Sequence, residues 1–218
     1  MIFRQSKSRL ESISDSIFAF AATLVVVSLD VPESFDLLKE NLMSFFSFGL
    51  SFFALILLWK VHYNFFRRTD IIDNWVIGLN MILMFVILFF VYPLKFLAYL
   101  YVGVGKINSA SDLAELFQLY GLGFALVFLC MALMYRHVAM KEKEEDKRPM
   151  LYFYARHYSI FVIVALFSII AAYFQWGIRY GGPGFAYVLL GPLCGMHGRF
   201  YGYEIKDNHS LKTVEDES

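Results

Sequence analysis

Arg9-Leu10-Glu11-Ser12-Ile13-Ser14-Asp15-Ser16-Ile17-Phe18-Ala19-Phe20-Ala21-Ala22-Thr23-Leu24-Val25-Val26-Val27-Ser28-Leu29-Asp30-Val31-Pro32 is the stretch that decides how this chain is built. Its apolar part, Ile13–Val31, approaches the ~20 residues needed to cross a bilayer. It also carries Asp15 near its start and Asp30 near its end. A helix that is apolar in its middle yet bears carboxylates faces protein or water rather than lipid. Stepping about 100° per residue from Phe20 places Ile13, Ser16, Thr23, Leu24 and Val27 within about 60° of it, and Asp15 near about 220°. One face is therefore apolar with small hydroxyls, and the back carries a carboxylate. Ordinary core packing produces such a stripe too.

Working outward, four charge-free segments have membrane-spanning length: Asn41–Trp59, Trp75–Leu94, Leu116–Tyr135 and Tyr158–Trp176. A fifth, Tyr180–Gly198, is charge-free but rich in glycine. With the first stretch, this predicts an all-α integral membrane protein of six transmembrane helices, near 13–31, 41–65, 75–101, 113–137, 157–176 and 182–200. Residues 1–200 form the membrane domain, and 201–218 a polar, disordered cytoplasmic tail. Composition agrees. Apolar residues make up 59% and charged residues 17% of the 218, against about 45–50% and about 25% in soluble domains. Such a chain has too little core volume to hide its 24 phenylalanines from water. Zero net charge excludes a nucleic-acid partner drawn by overall charge. Cys130 and Cys194 lie in apolar stretches and read as core thiols, not a disulfide framework.

Lysine and arginine set the orientation. The N-terminus, the 66–74 and 136–156 loops and the tail from Arg199 hold 14, and the alternate loops hold three. Both termini are thus expected in the cytoplasm. Arg4, Lys7 and Arg9 precede a run that carries Asp15 and lacks a small-residue cleavage site, so the first helix reads as retained, not as a signal peptide. Lys141–Arg148 reads as a solvated linker.

This orientation brings polar residues to one depth. Asp15 and Ser14 on helix one, Trp59 and His62 on helix two and Asn80 on helix three all fall near the inner end, with Arg9 beside them. An imidazole, an indole N–H and an amide can satisfy a carboxylate there. The expectation is a hydrogen-bond network fixing helix one against helices two and three, and no metal site. At the outer end, Asp30, Glu33, Asp36 and Glu40 against Lys39 make an acidic segment. It would concentrate cations if helix one lined a pore, and is a plain solvated loop otherwise.

Arg9-Leu10-Glu11-Ser12-Ile13-Ser14-Asp15 resembles the R-x-x-x-F-S-D signature of the transmembrane protein 175 family of potassium channels. Ala22-Thr23-Leu24 and the aliphatic run to Val31-Pro32 follow in register. Trp59-Lys60-Val61-His62 is similar to the family's W-x-x-H, and helix three adds Asn80. The resemblance implies a homotetramer in which four copies of helix one line the pore, without the usual filter loop. It places the pore constriction at Phe20, with Leu24 and Val27 on further layers, and the ion-selectivity hydroxyl ring at Thr23. Arg9, Ser14, Asp15, Trp59, His62 and Asn80 become the supporting network, and Asp30 and Glu33 outer-mouth acids. Ile13 replaces the signature Phe, and Phe20 replaces the usual Ile or Leu.

The resulting expectation is a channel for potassium and similar monovalent cations, not an enzyme, without cofactor, in a prokaryotic plasma membrane. Its partners are the lipid bilayer and three further copies of itself. The alternatives are a membrane transporter or enzyme using the Asp15, His62 and Asn80 layer, and a non-conducting relative of the channels. Tyr101-Val102-Gly103-Val104-Gly105 looks like a carbonyl-lined filter but directly continues helix three, so it reads as a helix exit. Gly191-Pro192-Leu193-Cys194-Gly195 reads as a close-packing, Pro-kinked stretch. His137, His157 and His197 read as scattered surface histidines.

Overall fold

The computed structural model describes residues 7–27, 33–36, 42–103 and 105–201. Five long helices run through α1 Lys7–Val27, α2 Leu42–Arg68, α3 Asn74–Tyr101, α4 Ala110–Lys141 and α5 Lys147–Tyr173. Each is long and apolar enough to cross a membrane. No strand occurs among the described residues. The helices outrun the apolar segments. α1 starts at Lys7 rather than near residue 13, and α5 at Lys147 rather than near 157, so Lys147 and Arg148 belong to a helix and not to the linker. Hydropathy marks where a helix meets apolar surroundings, whereas backbone hydrogen bonding continues into water-facing turns.

The sixth expected helix is interrupted. After α5 the chain turns through Gln175, Gly177 and Gly181, all with positive φ. A side chain at Gly182 would run into the Trp176 carbonyl. Short helical turns follow at Gly182–Phe185 and Ala186–Leu189, the latter 3-10, before a helix at 190–201, here α6. Pro192 explains the tight stretch before it, because its ring clashes with the carbonyl four residues back. At about 1.5 Å per residue, 190–201 is about 18 Å long, less than the ~30 Å hydrocarbon core. Gly191 and Gly195 are exposed, and a Cβ added at either would meet nothing within 4 Å, so the expected close packing is absent among the described residues. It occurs instead on α4, where a Cβ at Gly123 would lie 2.5 Å from Phe90 Cδ2.

α4 packs along α5, α3 closes on α4, and α1 rests on α2 and α3. One end of the bundle gathers the basic residues and is stapled by ion pairs. Lys7 on α1 meets Asp70 in the α2–α3 loop at 2.6 Å. Asp73 caps α3 by accepting from the Val76 N–H at 3.0 Å, and its other oxygen receives His137 at 2.7 Å and Lys141 at 2.6 Å from α4. Burial alone would raise the Asp73 carboxyl, but Lys141, His137 and the Val76 N–H outweigh it and hold the group far below the usual carboxylate range. Arg68 donates to the Tyr135 hydroxyl at 3.0 Å and lies over the Tyr154 ring at 3.8 Å, tying α2 to α4 and α5. At the other end of α3, Gly103 adopts φ +77° and its N–H returns to the Leu100 carbonyl at 3.0 Å. Tyr101–Gly103 is thus a helix exit.

Candidate functional site

The site is built on α1, whose two faces have different surroundings. Leu10, Ser14, Phe18, Ala21 and Val25 are buried. They cluster near about 120° on the scale that puts Phe20 at zero. The stripe read from the sequence lies on the opposite side. Phe20 is 55% exposed, Val27 73% and Ile13 48%. Ser16 and Thr23 are also exposed, and Leu24 is half-buried. Among the described residues this stripe is left largely open, Leu24 excepted, although its middle is as apolar as the buried face. Thr23 Oγ1 donates to the Ala19 carbonyl at 3.0 Å. Its proton is used within the helix, so the oxygen's lone pairs are left to whatever lies in front of α1.

The polar residues predicted at one depth come together. Ser14 Oγ donates to the Leu10 carbonyl at 2.9 Å. Asn80 Nδ2 donates to Ser14 Oγ at 2.9 Å. The Asn80 oxygen can only accept, so His62 Nε2, 2.8 Å away, is the donor. This order assigns the proton of neutral His62 to Nε2. Ser14 and Asn80 are fully buried, and His62 is 2% exposed. The chain of donors therefore locks α1, α2 and α3 in one register. At the next residue of α1, the Trp59 indole N–H donates to Asp15 Oδ1 at 2.8 Å. Arg9 lies on the exposed side of the first turns of α1.

Two companions of His62 were not read from the sequence. Phe18 and Phe66 bracket its ring at centroid distances of 5.5 and 4.9 Å. The phenylalanine-rich composition hid them, since no pattern separates these two from the other 22. Beside them Ser8, Glu11, Ser12, Asp15, His62, Tyr63 and Phe66 line a half-open cleft of about 220 Å³. Of the outer acids, Glu33 is exposed, whereas Asp30 lies outside the described residues. No group of three His, Cys, Asp or Glu side chains among the described residues is placed to hold a metal ion.

Residues 9–90, the part carrying this arrangement, match the family described as endosomal/lysosomal potassium channel TMEM175. A potassium channel of Marivirga tractuosa is 37% identical over 145 residues, 60% of this chain and 59% of that protein. A potassium channel of a Chryseobacterium species is 30% identical over 82 residues, 37% of this chain and 43% of that protein. The chain spans about half the length of the curated relatives it matches. Among solved structures, a variant of the potassium channel MtTMEM175, crystallised with a Nanobody-MBP fusion protein, superimposes with a TM-score of 0.76. That match has 30% identity and covers 92% of this chain and 95% of the other. A TMEM175 homologue from Chamaesiphon minutus shares the fold, with a TM-score of 0.56 at 20% identity over 84% of this chain and 97% of the other. A helix-one signature, its hydrogen-bonded supports on α2 and α3, and an overall fold shared along nearly the whole chain agree: this membrane protein belongs to the TMEM175 family of potassium channels.

Proposed function

We propose that four copies of this chain form a potassium-permeable cation channel in a bacterial plasma membrane. α1 of each copy lines the pore, and no filter loop is used. Phe20 makes the constriction, Leu24 and Val27 add further apolar layers, and Thr23 supplies a ring of hydroxyl oxygens to a partly dehydrated ion. The apolar layers gate by wetting and dewetting. Asp30 and Glu33 gather cations at the outer mouth. Ser14, Asp15, Trp59, His62 and Asn80, with Arg9 at the same end, hold α1 at the angle that aims this stripe at the axis. Residues 1–200 are the channel domain with six membrane passages, the sixth formed by the interrupted segment ending in α6. Both termini lie on the basic, cytoplasmic side, and 201–218 is a tail.

The observation that carries this reading is the uncovered stripe of α1. Lipid would satisfy Phe20 and Val27 but offers nothing to the oxygen lone pairs that Ser16 and Thr23 keep after donating within the helix, whereas a narrow pore lined by four copies suits both residue types. One copy cannot enclose a pore, so the reading requires the assembly. The test is potassium flux into liposomes carrying the purified protein, with sodium for comparison and Phe20→Ala alongside. Potassium flux above sodium is expected, larger in Phe20→Ala. Flux in the variant alone would mean that Phe20 closes a real pore. No flux from either, from a verified tetramer, would leave a non-conducting relative.

A further inference from the structure

The histidines along the helices have contrasting surroundings. His62 has Asn80 and His137 has Asp73. His157 on α5 and His197 on α6 instead face each other, with ring centroids 5.6 Å apart. His197 is 8% exposed, not a surface histidine, and is the one buried residue of helix 190–201. Both its ring nitrogens, and Nδ1 of His157, are buried without a hydrogen-bond partner.

The walls of this nook are aromatic. Phe153 packs on His197 at 4.5 Å and on His157 at 5.8 Å. Tyr201 lies 5.1 Å from His197. Tyr158 and Phe161 lie 5.7 and 5.5 Å from His157. Behind them α4 contributes Phe124 and Phe128. The charged and titratable groups around the pair are few. Arg156 of α5 lies over the Tyr201 ring at 4.0 Å. Arg68 of α2 reaches Tyr154, whose ring neighbours Tyr158. Tyr158 is on α5, and Tyr201 and Cys194 are on α6. No carboxylate pairs with either imidazole among the described residues. Cys194 does not complete a three-donor metal site.

Neutral imidazoles pack in this nook as flat rings, and their unpaired nitrogens cost less there than an unpaired charge. A proton on His197 would be a buried charge without an acceptor, beside a second imidazole and an arginine, and such a charge is costly in an apolar interior. Releasing His197 into water removes that cost, and α6 has no other buried side chain to hold it in place. We propose that His157 and His197 form a proton-operated latch: neutral rings seat α6 on α5, and acid releases 190–201. The latch is independent of which ion the protein passes. Acid acts by populating the open state, which takes up the proton, rather than by forcing the closed one.

Hydrogen–deuterium exchange of the full-length protein in detergent micelles tests this, at pH 7.5 and 5.5, corrected for intrinsic exchange. One proton taken up on release, at the ordinary imidazole pKa, raises opening of 190–201 about tenfold between these two pH values. The middle of α4 is expected not to change. His157→Phe/His197→Phe keeps flat rings that cannot be protonated, and should hold 190–201 equally protected at both pH values. His197→Gln, neutral but polar, should likewise lose the pH dependence, and serves if the double variant does not fold. Equal protection of 190–201 at both pH values in the unsubstituted protein would overturn the latch. So would an undiminished acid response in the folded variants.

Discussion

α1 and α2 are similar to α4 and α5 in apolar character, but differ in how the protomer completes them. Across their apolar spans, 28% of α1 and 17% of α2 are buried, against 50% of α4 and 39% of α5. The second pair finds its partners within the chain. Gly121 and Gly123 let Ile169 and Phe90 approach closely, and rings from Phe124 to Tyr158 stack between α4 and α5. The first pair is positioned by a few polar bonds to Ser14, Asp15 and Asn80, and most of its apolar surface faces outward. Volume fixes one half of the bundle and hydrogen bonding orients the other. Helices left uncovered in the protomer are the ones free to face a pore, lipid or another copy.

The sharpest way to break this contrast lies within α1. Phe18 is 4% exposed and Phe20 55%, two residues apart. Phe18→Ala should cost about 3–5 kcal/mol in thermal unfolding in detergent. Phe20→Ala should cost clearly less while changing flux; equal losses would mean that the two faces are covered alike. Asn80→Leu comes next. It leaves the His62 N–H and a lone pair of Ser14 buried without partners, at about 2–4 kcal/mol. A neutral result would mean that the network does not orient α1. Gly123→Ala tests the volume-fixed half. Its added methyl meets the Phe90 ring, and about 1–3 kcal/mol should be lost.

The smallest effect is at the basic end. The Asp73 carboxyl is held far below its usual range. The stability it contributes is therefore fully present above the unfolded carboxylate pKa near 3.9, and is lost as pH falls below that value. Asp73→Asn should lower stability at neutral pH by about 1 kcal/mol, partly screened by solvent, and flatten the acid side of the unfolding-midpoint profile. An unchanged acid profile would show that Lys141 and His137 do not stabilise the closed bundle through Asp73.

Much of this architecture was legible because polar residues are conspicuous in apolar helices. Asp15, His62 and Asn80 stand out in their runs, and alternating helix direction puts them at one depth. In the fold they divide into two sets: Ser14, Asn80 and His62 share one chain of hydrogen bonds, and Trp59 bonds Asp15 apart from it. Less legible were the choices among similar residues. Phe18 and Phe66 against His62, Gly123 rather than Gly191 as the tight contact, and the burial of His197 depend on which side chains meet across helices. Helix ends were misjudged at Lys7 and Lys147 because charge ends an apolar run without ending a helix.

The sequence by itself determined that the chain is built of long apolar runs and that α1 has two unlike faces. These are properties of one helix in a bilayer, set by periodicity and by the cost of unsatisfied polar groups. Only the tertiary structure decided that the sixth run is broken around 186–189, that Asn80 stands between Ser14 and His62, and that His157 meets His197 in a nook without an acceptor. These are properties of pairs of helices, and nothing local to either stretch of sequence encodes how two surfaces interdigitate.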